Sequence, residues 1–248
     1  MSLPDPAGRV LAFTVTHGDR PFLADTIRLA RGTAGYWFDW LVVLSGVSAR
    51  QHAIAKAALE AEAGIQHLVA WPENRGQHHA FAEALALARQ GGYRWLLRLD
   101  DDVRFKTKRW LKKLVQQAID LRARAGDPVD RLVVAPKVLG LRNQPKIRAV
   151  IDRGQAYPAQ LMELLGGVCR LHPVRLLDGF EPPLDEPIGR GDPEAITRWC
   201  QRVGGLLVRF PNVRVVHRTD ENEAKDSPEA AHLRRMGWYW PWIDPRKW

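Results

Sequence analysis

Arg94-Trp95-Leu96-Leu97-Arg98-Leu99 runs without a break into Asp100-Asp101-Asp102. The first part is short, largely apolar and bulky, which is the pattern of a buried β-strand. The second part places three carboxylates at that strand's carboxyl end. Carboxylates this close repel one another unless a cation neutralises them. Hard oxygen donors suit Mg²⁺ or Mn²⁺, ions that also bind phosphates. In an extended stretch, Asp100 and Asp102 point to the same side.

Working outward, strands and helices alternate. Val10–Thr16 is apolar and β-branched, a buried strand; Asp19 and Pro21 then give helix-start chemistry, and Leu23, Ile27 and Ala30 follow at helical spacing. Trp40–Leu44 predicts a second strand, Ala53–Ala63 a helix and Ile65–Ala70 a third strand. Asn74-Arg75-Gly76 reads as a turn before a helix lined by Ala80, Phe81, Ala84, Leu85 and Ala88, and Gly91-Gly92 ends it. After the fourth strand, a helix from Trp110 turns Leu111, Leu114, Val115 and Ala118 inward and Lys112 and Lys113 outward; Leu132–Ala135 is a fifth strand. This alternation predicts an α/β fold, a mixed and mostly parallel sheet flanked by helices. Ligands of such sheets bind beyond the carboxyl ends of the strands. After Pro136 the pattern loosens, with one helical stretch expected around Ala159–Leu165.

Composition narrows the function. The 248 residues are 46% hydrophobic and 26% charged, an ordinary globular balance that excludes wholesale disorder. No apolar run is long enough for a membrane-spanning helix, so no integral membrane association is expected. Met1 to Gly8 lacks the pattern of a secretory signal. Two cysteines, Cys169 and Cys200, cannot form a disulfide framework and read as reduced thiols of a cytoplasmic protein. The net charge is +9, and it is concentrated: Arg104 to Arg153 holds 14 Lys and Arg against four Asp. Such a field favours a polyanionic partner, namely nucleic acid, nucleotide phosphates or an anionic surface. The ten Trp are also unusual, and Trp238, Tyr239, Trp240, Trp242 and Trp248 crowd the C-terminal tail.

Several chemistries lack their signatures. There is no phosphate loop of the G-x-x-x-x-G-K-[ST] type, no G-x-G-x-x-G after the first strand, no G-x-S-x-G elbow and no H-E-x-x-H. His78-His79, at a helix start beside no obvious acid, reads as polar surface, with a ligand pair as the alternative. No zinc finger, RNP1 segment or basic zipper is present.

The order of motifs resembles GT-A-fold glycosyltransferases of the family 2 type. Thr16 and His17-Gly18-Asp19-Arg20-Pro21 resemble the turn after that family's first strand. Glu73-Asn74-Arg75-Gly76 resembles its E-N-x-G turn, and Asp100-Asp101-Asp102 its D-x-D segment. Gly166-Gly167 and Leu177-Asp178-Gly179-Phe180 resemble the acceptor-side elements, Gly191-Asp192 the place of the E-D motif, and Val215-Val216-His217 the late strand. Two features depart from the family: Val42 to Ser48 has no Asp to read the nucleotide base, and the E-D motif is Gly-Asp.

The resemblance implies a metal-dependent, inverting transfer of a sugar from a nucleotide sugar, a UDP-sugar being expected, to a hydroxyl acceptor. It implies Mn²⁺ or Mg²⁺ on Asp102 and His217, and Asp192 as catalytic base with Glu194 in reserve. Thr16, Arg20, Asn74, Gly76, Asp100 and Asp101 are the implied donor-binding residues. Residues 9–103 then form a nucleotide-sugar half and 104–218 an acceptor half, with 219–248 an aromatic tail packed on the domain or acting as a lid. The basic segment, in a chain without membrane helices, suits DNA as acceptor. Small glycosyltransferases of bacterial viruses that decorate hydroxymethylated pyrimidines are similar in this respect. The alternatives are a cytoplasmic glycosyltransferase acting on a cell-surface glycan, lipid or protein, and a non-enzymatic basic nucleic-acid-binding domain.

Overall fold

The structure, a computed structural model, describes residues 8–16, 22–46, 48–60, 65–125, 129–141, 145–152, 154, 157–185 and 192–218. The chain divides into two compact units, Met1–His217 and Arg218–Trp248, and the aromatic tail of the second lies outside the described residues.

The strands of the first half are β1 (Val10–Thr16), β2 (Asp39–Ser45), β3 (Ile65–Trp71) and β4 (Trp95–Leu99), with helices α1 (Leu23–Ala34), α2 (Ala49–Glu60) and α3 (Gly76–Gln90) between them. Then come β5 (Val103–Phe105), α4 (Trp110–Ala125), β6 (Leu132–Leu139), β7 (Ile147–Ile151), β8 (Ala159–Met162), β9 (Cys169–Pro173), α5 (Asp192–Arg202) and β10 (Leu206–His217). They form one sheet in the order β3-β2-β1-β4-β9-β6-β10-β8-β7, with β5 paired to β10. Pairing is parallel across β3-β2-β1-β4 and between β6 and β10, and antiparallel elsewhere.

The two faces of the sheet explain the apolar runs. Val10, Ala12, Trp40, Val42, Trp95, Leu97 and Leu99 face α1 and α4. Their sequence neighbours Leu11, Phe13, Leu41, Val43 and Leu96 face α3 and α5. Strands covered on both sides need no polar alternation, so they read as continuous hydrophobic segments. Large aromatics fill the first layer, and their indole nitrogens are satisfied: Trp40 Nε1 donates to Thr14 Oγ1 at 3.1 Å and Trp110 Nε1 to the Ala30 carbonyl at 3.3 Å.

Two backbone features deliver the end of β10. Its register against β6 slips between Phe210, opposite Pro136, and Arg214, opposite Lys137. Pro136 has no amide hydrogen to give the ladder, and a bulge is where a sheet tolerates such a residue. Beyond it, Gly140 (φ 84°) brings the end of β6 against His217; a Cβ there would lie 2.6 Å from the His217 carbonyl oxygen.

Three expectations need correction. The stretch around Ala159–Leu165 is not helical: Ala159–Met162 is β8, paired to β7 on one side and β10 on the other. Arg209 Nε donates to Gln160 Oε1 at 2.8 Å across that pairing. Bonding from both edges outweighs the local helical tendency of Ala-Gln-Leu-Met. His78 is not surface but buried on α3, in the first turn beneath the sheet edge. The sheet also contains β5, β7 and β9, none of which the apolar pattern predicts.

At the amino end of β2, Asp39 accepts hydrogen bonds from the Tyr93 hydroxyl at 2.6 Å and Arg9 at 2.9 Å. Burial pushes the Asp39 carboxyl up, but Tyr93, Arg9 and Trp37 together hold it below its ordinary value of 3.8. Burial and then Asp39 push Tyr93 up to about 12. A carboxyl depressed by folding stabilises the fold above its unfolded value, and that contribution is lost as pH falls through the folded one. Thermal melts of Asp39→Asn between pH 7 and pH 2 should therefore show a lower stability at neutral pH and a flatter acid limb than wild type. Parallel curves for the two proteins would remove Asp39 from the acid response.

Candidate active site

β4 ends at Leu99, and the chain turns through Asp100, Asp101 and Asp102 before β5 begins at Val103. The carboxylates divide: Asp101 goes to β1, and Asp100 and Asp102 go to the end of β10. Asp101 is buried and its Oδ2 accepts a hydrogen bond from Thr16 Oγ1 at the end of β1. The backbone of the turn is held by α1: Thr26 Oγ1 donates to the Asp101 carbonyl at 2.7 Å and accepts from Val103 N at 3.2 Å. Asp100 N donates to the Val168 carbonyl at 2.9 Å, which ties the turn to the Gly166-Gly167 loop.

Asp100 and Asp102 face His217. β5 pairs with β10 so that Val103 stands opposite His217, which puts the imidazole beside the residue just before β5. His217 Nε2 lies 3.3 Å from Asp102 Oδ1 and 4.0 Å from Asp100 Oδ2. One donor atom from each of the three residues lies within 4.8 Å of the others. Asp102 is 2% exposed, so its charge sits largely out of water. Two carboxylates and one imidazole converging on one point make a donor set for a divalent cation of the Mn²⁺ or Mg²⁺ kind. It is the one such group of three among the described residues.

Two buried arginines lie behind it. Arg98 on β4 stands directly opposite Arg170 on β9. Arg98 donates to Asp100 Oδ1 at 3.2 Å and to Gln77 Oε1, in the first turn of α3, at 2.8 Å. Arg170 Nε donates to His172 Nε2 at 2.8 Å, and its NH1 group to the Leu165 carbonyl at 3.1 Å. His172 therefore carries its proton on Nδ1, 3.1 Å from the Leu96 carbonyl. Burial, and then the Arg170 charge, hold His172 well below its usual value, so it is neutral. Burial, and then Arg98, lower Arg170 to about 9, which still leaves it cationic at neutral pH.

The remaining expected residues fall out as follows. Asn74 lies between β3 and α3, where its Oδ1 accepts from Ser45 Oγ at 3.1 Å and Gly76 N at 3.0 Å; Gly76 opens α3. This joins the carboxyl end of β2 to the start of α3. Asp192 is the first residue of α5, and its side chain lies outside the described residues, as do Arg20 and Gly191. Glu194 is exposed. The thiols are poor nucleophiles: burial, and then Asp100, push Cys169 above the usual thiol range, and burial raises Cys200 to about 11. Thr26, Gln77 and Arg98 were not singled out by the sequence, although a charged residue inside a buried strand is itself a signal, since such a charge needs partners.

Residues 12–129 match the family model described as glycosyl transferase family 2. The match takes in the Asp100–Asp102 turn and stops short of His217. No curated protein matches the chain. Among solved structures, the chain is similar to GalNAc-T7 with UDP, GalNAc and Mn²⁺ (14% identity, TM-score 0.64, covering 85% of this chain and 44% of that one). It is similar to the mannosyltransferase PcManGT from Pyrobaculum calidifontis in complex with GDP-Man and Mn²⁺ (19%, 0.63, 94% and 63%). It is also similar to residues 1–349 of S. aureus TarS in complex with UDP-GlcNAc (13%, 0.61, 84% and 58%). The chain thus spans 44% to 63% of the length of these three proteins. At such identities the likeness is one of fold. The fold is GT-A-like.

The donor set has a direct test. Mn²⁺ should raise the melting temperature of the wild-type protein, because binding to the folded state alone stabilises it. Asp102→Asn and His217→Ala should each abolish most of that rise. A rise of the same size in both variants would place the ion elsewhere.

Proposed function

We propose that this chain is a metal-dependent glycosyltransferase that moves a sugar from a nucleotide sugar to a hydroxyl acceptor, with inversion at the anomeric carbon. The observation that carries the reading is the convergence of Asp100, Asp102 and His217 at the carboxyl edge of a GT-A-like sheet. The family 2 match over residues 12–129 supports it. A divalent cation bound there supplies positive charge to a leaving diphosphate.

The chain's own residues supply the rest. Residues 9–103 hold the donor, with Thr16, Arg20, Asn74, Gly76, Asp100 and Asp101 around the nucleotide, a UDP-sugar being the first donor to test. Residues 104–218 hold the acceptor. Asp192, at the head of α5, takes the acceptor hydroxyl's proton as the oxygen attacks opposite the leaving group. With one base on that side and no covalent sugar intermediate, the product is inverted.

The acceptor we propose is a hydroxymethylated pyrimidine in DNA. Arg104, Lys106, Lys108, Arg109, Lys112 and Lys113 are all exposed and start two residues beyond Asp102. Their charge suits a phosphate backbone led past the carboxyl edge of the sheet, and a base turned out of the duplex would cost a few kcal/mol. The free, buried cysteines suit work in the cytoplasm.

Two measurements test this. With Mn²⁺ and a panel of nucleotide sugars, Asp192→Asn should retain donor binding but lose about 10²- to 10⁴-fold in transfer; near-normal turnover would move the base role to Glu194 or elsewhere. Binding to DNA should weaken steeply as salt rises. Charge reversal at Lys112 and Lys113 should weaken it further without changing donor affinity. No binding at low salt, together with transfer to an oligosaccharide or lipid, would exclude DNA as the acceptor.

A further inference from the structure

We infer that Arg98 is a positioning residue that sets the geometry of the cation site through Asp100 and links that site to both the donor helix and the glycine loop. The inference rests on the metal-dependent reading above.

An arginine at the penultimate position of a central strand is costly to bury, and it needs charged or polar partners to stay there. Arg98 is 3% exposed. Its guanidinium meets three different parts of the site. One contact is to Asp100 Oδ1 at 3.2 Å, which leaves Oδ2 turned to His217. A carboxylate held by one oxygen has its other oxygen aimed, and outer partners of this kind orient metal ligands. The second contact is to Gln77 Oε1 at 2.8 Å, in the first turn of α3, next to the Asn74 turn. The third is packing: a Cβ on Gly167 would lie 2.5 Å from the Arg98 NH1 nitrogen, so the loop lies directly on the guanidinium face. That same loop holds the backbone of Asp100 through the Val168 carbonyl.

Arg170 completes the support. It stands opposite Arg98 in register and is fully buried, and it bonds to His172 Nε2 and the Leu165 carbonyl. Two neighbouring cations thus lie behind the Asp100 carboxylate, and Arg98 meets it directly at 3.2 Å. The arrangement links three segments, α3, the Gly166–Gly167 loop and the carboxylate turn, through one side chain. A shift of any one of them is felt at Asp100.

The test is Mn²⁺ affinity, read from the free-ion electron paramagnetic resonance signal, in wild type, Arg98→Gln, Arg98→Lys and Gly167→Ala, with melting in EDTA to establish that each is folded. Arg98→Gln should weaken Mn²⁺ by at least about tenfold, in the range seen when an outer partner of a ligand is lost. Arg98→Lys should recover part of the loss, since the charge beside Asp100 returns. Gly167→Ala, which pushes the guanidinium from its other face, should weaken Mn²⁺ in the same direction. Should Arg98→Gln not fold, Gln77→Ala takes its place, removing one anchor while keeping the charge, and it too should weaken the ion. Unchanged Mn²⁺ affinity in folded Arg98→Gln, or in Gln77→Ala and Gly167→Ala together, would overturn the role of Arg98 alone. A wild-type protein that binds no Mn²⁺ would overturn the metal-dependent reading instead.

Discussion

Negative charge crowded onto the end of β4 is the constraint that the surrounding structure has to satisfy. Three consecutive carboxylates cannot share one patch of low-dielectric space without large repulsion. The fold separates them by giving each a different counterpart from a different element. Asp101 is drawn to Thr16 on β1, Asp100 to Arg98 on β4, and Asp102 to His217 on β10. Only two carboxylates then remain at the point where an ion would sit. α1 secures the turn through Thr26, so the arrangement depends on backbone contacts as well as on charge.

The mixed sheet is what brings these counterparts together. Its parallel part aligns the carboxyl ends of β1 and β4, so Thr16 and Asp101 meet. Its second part runs through β9 and β6 to the long β10, which carries His217 back to the turn with β5 alongside. The exposed cations of β5 and the start of α4 are therefore neighbours of the carboxylates in sequence, while the core beneath them is made by Trp110, Leu111 and Leu114. Exposed charge and core-building apolar residues alternate within one short segment, which is why its basic character did not prevent it from folding as an amphipathic helix.

Much of this was legible in the sequence. β1 to β4 and α4 were readable because strands buried on both faces, and a helix with one apolar stripe, leave strong patterns. Asp100 and Asp102 were legible in the triplet itself, but His217 was legible only through family resemblance, since it lies more than a hundred residues away and nothing local marks it. β5 was missed because three residues are too few to show a period. β7 was missed because it is an edge strand whose Ile147 and Val150 are exposed. β8 was misread as helix because its state is set by partners on either side, Ile147–Ile151 and Val208–Arg209, that no local window contains. Arg98 passed as one more residue of a strand, and its partners Gln77 and Asp100 emerged only with the fold.

The slip in β10 opposite Pro136 has a consequence of parity. Between Phe210 and Arg214, β10 passes three residues while β6 advances from Pro136 straight to Lys137. Side chains change face at every step along a strand. Val208 and Phe210 before the slip and Val213 and Val215 after it face the same core, so the inward positions of β10 change from even to odd across it, and His217 is downstream. The side to which β10 turns its last residue is thus settled at the bulge, upstream of the histidine itself.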